Sequence, residues 1–115
     1  MLGNVLAALV ALLQTFFMIL EMYFWDKPFG RQIFGLRREF ASATKVLAAN
    51  QGLYNGFLAA GLMWGLYLGS DGEAIRFFFL MCVLVAGVFG AATSNTEILF
   101  VQATPAALAL VFSSW

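Results

Sequence analysis

The sequence has no histidine and a single cysteine, Cys82. An intrachain disulfide framework and a Cys/His zinc site are therefore both excluded. Charge is scarce as well. Six basic and six acidic side chains make up 10% of 115 residues and cancel to zero. A chain without net charge projects no field that gathers nucleic acid or acidic partners, and neither nucleic acid, metal nor cofactor is expected. Hydrocarbon takes the place of the missing polar groups, with 63% of residues hydrophobic. A soluble domain is about half apolar and about a quarter charged. So little polar surface cannot coat a globule in water, and the expected solvent is lipid. Cys82 lies within the run FFFLMCVLVAGVFG, where a thiol serves as small apolar filler.

A helix that crosses a bilayer needs about 20 mostly apolar residues. Four stretches qualify, at residues 3–25, 46–68, 75–92 and 98–115. They predict an all-α membrane protein, a four-helix up-down transmembrane bundle forming one domain over residues 1–115. The first stretch lacks a basic start and a small-residue cleavage site, so it reads as a retained helix rather than a signal peptide. Lys27, Arg31, Arg37, Arg38 and Lys45 fall in the loop at 26–45. The second loop offers only Arg76, beside Asp71 and Glu73, and the third has no basic residue. The basic loop is expected in the cytoplasm, with both termini outside. Phe29, Ile33, Phe34, Leu36 and Phe40 make that loop too apolar for a free linker. It predicts a short helix or hairpin on the bilayer surface.

The few polar residues of the apolar stretches carry the functional reading. Glu21 sits in FFMILEMYFW without a basic neighbour, and a carboxyl at that depth must face the bundle, pair, or keep its proton. Gln14, Met18 and Glu21 form one stripe at helical spacing. ANQGLYNG places Asn50, Gln51 and Asn55 at the entry of the second stretch. Thr93, Asn95, Thr96 and Glu97 surround the third loop, and Gln102 follows. Alternating helices put all of these in the cytoplasmic half and leave the outer half with almost nothing polar. Gly52 and Gly56 form one small-residue pair and Gly61 and Gly65 another, on nearly opposite faces, so that one helix can pack closely on two neighbours. Pro105 frees a backbone carbonyl in the fourth stretch and marks a kink.

Glu21, Asn50, Gln51, Asn55, Glu97 and Gln102 together suit a polar pocket for a small amphiphile or lipid with a hydrogen-bonding head. Two other readings use the same residues. Glu21 could titrate in a proton- or cation-coupled transporter, or the polar groups could simply zip the helices of a structural membrane subunit. Enzymatic activity is disfavoured, because no nucleophile–base pair is present. Four short helices cannot both enclose a cleft and satisfy so many amides, so a homo-oligomer is expected.

LEMYFWDKPFGRQIFGL, TKVLAANQGLYNGFLAAGLMWGL and VAGVFGAATSNTEILFVQATPA resemble the DUF1304 family of small bacterial integral membrane proteins, over nearly the whole chain. The resemblance implies a four-helix protein of the bacterial cytoplasmic membrane and no assigned activity. That family often carries a histidine where this chain has Gln14, which argues against a relay through an imidazole here. REFASATKVLAANQGLYNGFLAAG is more faintly similar to the membrane-associated eicosanoid and glutathione metabolism (MAPEG) family. That similarity implies four helices, a cytoplasmic first loop and trimers. The arginine, asparagine and glutamate of that family's motif fall on Ala48, Gly52 and Asn55, so glutathione chemistry is not implied.

Overall fold

A computed structural model describes residues 1–94 and 97–113, with side chains described for all of these except 91, 93, 94 and 97–101. The described residues are helical and carry no strand. Helix α1 spans Leu2–Tyr23, α2 Pro28–Phe34, α3 Arg38–Ala43, α4 Lys45–Tyr67, α5 Glu73–Ser94 and α6 Glu97–Phe112. A short 3-10 turn, Gly69–Gly72, joins α4 to α5. The polar, proline-containing WDKP segment follows α1, and Pro28 enters α2 at its first turn, where the missing N–H costs nothing. Gly35 (φ 65) closes α2, and Gly69 (φ 62) follows the end of α4, each in the left-handed conformation that favours glycine. Helices α3 and α4 are separated by Thr44 alone. Helix α6 continues through Pro105.

Helix α1 packs on α4 and α6, and α5 packs on α4 and α6. Small residues set the spacing. A Cβ on Gly52 would stand 3.0 Å from the Met18 carbonyl and 2.7 Å from Met22 Cγ, and one on Gly56 would stand 2.7 Å from Met18 Sδ. This register makes α1 and α4 antiparallel. On the other side of α4 a Cβ at Gly61 would enter the Phe79 ring, and one at Gly65 would lie 3.0 Å from the Arg76 nitrogen. The two glycine pairs therefore serve two neighbours, as their spacing predicts. Gly87 brings α5 against α6, 2.8 Å from the Ala103 nitrogen if it bore a Cβ.

The interior is built from Ala7, Val10, Ala11, Leu62, Leu80, Val83, Ala106 and Ala109. Bulk is turned outward instead. Val5, Leu9, Leu12, Phe16 and Ile19 of α1 are exposed, as are Phe77, Phe78, Met81, Val85, Val88 and Phe89 of α5. Alanine and valine make up most of that interior, with Leu62 and Leu80, while many large apolar side chains face outward. Two stretches, Leu2–Tyr23 and Gly69–Gly90, are long and apolar enough to cross a membrane.

The basic segment is folded. Trp25 Nε1 donates to Thr44 Oγ1 at 3.0 Å, and that hydroxyl donates to the Phe40 carbonyl at 2.7 Å. The Trp25 ring lies 5.0 Å from that of Phe34. Gly30 sits so close to Phe24 that a Cβ would collide with its carbonyl. These contacts fold the 26–45 loop as two short helices and not as a hairpin.

Candidate functional site

Met18, Glu21 and Met22 lie along the α1 face against which Gly52 packs. The missing side chain at Gly52 lets α1 approach until Asn55, one turn further on, reaches across. Asn55 Nδ2 donates a hydrogen bond to Glu21 Oε1. Both residues are half-buried. Glu21 thus faces the neighbouring helix and not the apolar exterior.

The remaining candidates do not join this pair. Asn50 and Gln51 are exposed on α4. Asn50 lies roughly 160° around the helix from Gly52, at about 100° per residue. Gln51 shares the Asn55 face but sits level with the end of α1, where that helix gives out. Gln102 is buried, 5% exposed, but at another depth. Gly3 faces Ser113 across α1 and α6, and antiparallel helices of equal rise carry that register to Gln14 and Gln102. Gln14 is 0% exposed, and neither its Nε2 nor its Oε1 has a partner among the described residues. Gln102 therefore belongs with Gln14, two turns from Glu21. The side chain of Glu97 lies outside those described, as do Asn95 and Thr96 altogether. Among the described residues no group of three His, Cys, Asp or Glu side chains could hold a metal ion.

The opposite end of the molecule corrects the expectation that it offers almost nothing polar. Arg76, in the first turn of α5, is 7% exposed. Its Nη1 donates to the Gly65 carbonyl at 2.8 Å and the Gly69 carbonyl at 2.7 Å, closing the C-terminal end of α4. A cation suits that end of a helix dipole. Its Nε is buried without a partner among the described residues. A cavity of about 230 Å³ opens beside it, lined by Asn4, Ser70, Glu73 and Ser113 as well as Arg76. Arg76 makes no ion pair with Glu73 among the described residues, although the two are one turn apart. A lone arginine opening an apolar helix after a glycine-rich turn is the signal that could have found it.

In the basic segment Lys45 Nζ lies 3.3 Å from Asp26 Oδ2. Desolvation pushes the Asp26 carboxyl up, but the hydrogen bond and charge of Lys45, with the charge of Lys27, outweigh it and hold the group below the usual carboxylate range.

A family described as "Protein of unknown function (DUF1304)" matches residues 8–114. A protein of Lactococcus lactis subsp. lactis (strain IL1403), described as "Uncharacterized protein YpaA", is 33% identical over 112 residues, covering 95% of this chain and 93% of the relative. No solved structure matches the chain. The fainter likeness to the MAPEG family is not shown by these matches.

Proposed function

The chain belongs to the DUF1304 family, and from that premise we propose that it is an integral protein of the bacterial cytoplasmic membrane that binds a small neutral amphiphile by its head group. In this reading all four long helices cross the bilayer, the basic 26–45 segment lies in the cytoplasm and both termini lie outside. The head is held near Glu21 and Asn55. Asn50 and Gln51 supply further donors and acceptors from α4. The protein is a homo-oligomer, in which a second copy covers the exposed amides of α4.

The single observation behind this reading is the Glu21–Asn55 hydrogen bond with two further amides left open on the same helix. Exposed amides at membrane depth cost several kcal/mol each unless something pairs with them. A second reading, a purely structural subunit, is favoured by the same bond, because Asn55 already engages the carboxyl within the fold.

Native mass spectrometry of the detergent-purified protein with added monoolein separates the two. Amphiphile binding gives a monoolein adduct that survives Glu21→Gln and is lost in the Asn50→Ala/Gln51→Ala variant. The structural subunit gives no adduct. The same spectra report the oligomeric state.

A further inference from the structure

We infer that the end of the molecule opposite the Glu21–Asn55 pair holds a phospholipid with a zwitterionic phosphoethanolamine head, the head in the Arg76 cavity and one acyl chain in the groove between α1 and α4. This goes beyond the Glu21 site and rests on the membrane reading alone.

Three features select the head. The guanidinium of Arg76 spends Nη1 on two carbonyls, which leaves the Nε–Nη2 edge as its bidentate face, with Nε buried and without a partner among the described residues. Such an edge matches two phosphate oxygens. Gly3 and Asn4 also line the cavity, in the first turn of α1, where backbone N–H groups have no partner within the helix and the dipole is positive. Glu73 stands on the same wall without an ion pair among the described residues. Its carboxylate repels a purely anionic head and accepts hydrogen bonds from a primary ammonium. A volume of about 230 Å³ is below the ~300–1,000 Å³ of drug-sized sites, so it admits a head group and not a chain.

The path for the acyl chain starts from residues that neighbour the cavity in the helices. Ala8 lies one turn below Asn4, and Leu68 alone separates Tyr67 from the Gly69–Gly72 turn. Both line an open groove of about 480 Å³ that includes Leu12, Thr15, Met63 and Leu66. Thr15 turns its hydroxyl onto the Ala11 carbonyl at 2.9 Å, which leaves the groove wall apolar. Asn4 to Thr15 is about 16 Å along a helix. That is close to the hydrocarbon depth of one leaflet, half of about 30 Å.

The test offers the full chain in detergent an equimolar mixture of dioleoyl-phosphatidylethanolamine and dioleoyl-phosphatidylglycerol and reads retained lipid by native mass spectrometry. Wild type is expected to keep one phosphatidylethanolamine per chain, preferred about tenfold. Glu73→Gln should bring the ratio to about one, and Ala8→Trp, which fills the groove, should lose the adduct while circular dichroism stays helical. A wild-type ratio of one would overturn the proposal without recourse to any variant. So would a preference that Glu73→Gln leaves unchanged, or an adduct that survives Ala8→Trp. Release of the lipid by soluble phosphoethanolamine at stoichiometric concentration would also overturn it, because the chain would then contribute nothing. Alkaline carbonate extraction of membranes tests the membrane reading separately.

Discussion

Asn55 on α4 donates its side-chain amide to the Glu21 carboxyl on α1, a pairing of residues thirty-four positions apart in the chain. Asn55→Ala leaves that carboxyl without its partner and should destabilise the protein by about 1–3 kcal/mol. Glu21→Gln retains an acceptor oxygen and should cost far less. Unfolding titrations with sodium dodecyl sulfate, followed by circular dichroism, would rank the two. Equal losses would contradict the assignment of this bond.

Close approach should make the glycines unequal. Gly87→Ala drives a methyl against the Ala103 backbone, which cannot yield without parting α5 from α6. A loss of about 1–3 kcal/mol is expected. Gly56→Ala meets only the flexible end of Met18 and should be nearly neutral. Thermal denaturation in a mild detergent measures both.

Gln14 is buried with both amide atoms unpartnered among the described residues. Gln14→Met keeps the length of the side chain and removes the unmet donors and acceptor. Stability should rise by about 1–3 kcal/mol. A fall would mean that the amide is paired in the membrane-embedded protein.

The Asp26–Lys45 pair gives a pH dependence of known sign. The Asp26 carboxyl is held below its usual range in the folded state. Its contribution is complete above the unfolded carboxylate value of about 3.9 and is lost as pH falls through the lowered folded value. Lys45→Met should therefore lower the midpoint of thermal unfolding at pH 7, and that difference should shrink as the pH is taken below the unfolded carboxylate value of about 3.9.

Much of this architecture can be read from residue types alone. The opposed faces of the two glycine pairs follow from helical angle, and a carboxyl among hydrocarbon points to the amides of the next long helix, of which Asn55 is the one that reaches Glu21. Depth and tertiary proximity were less accessible. Grouping polar residues by half of the bundle joined Gln102 to Glu21, although the register of α6 on α1 puts it two turns away. Asn50 and Gln51 lie close to Asn55 in sequence, but helical rotation and the end of α1 leave both exposed. Arg76 read as a loop charge. Its burial depends on Gly65 and Gly72 meeting so closely that the α4 carbonyls come within reach, which no local pattern in the sequence encodes.

Interlocked methyl groups occupy the centre of this molecule, with Ala7, Ala11, Ala106 and Ala109 nearly or wholly sealed from solvent. Among the described residues such a centre is a filled rod without a conduit along it. Any solute carried across a bilayer would have to travel along the flank of the helices or through a seam between neighbouring copies.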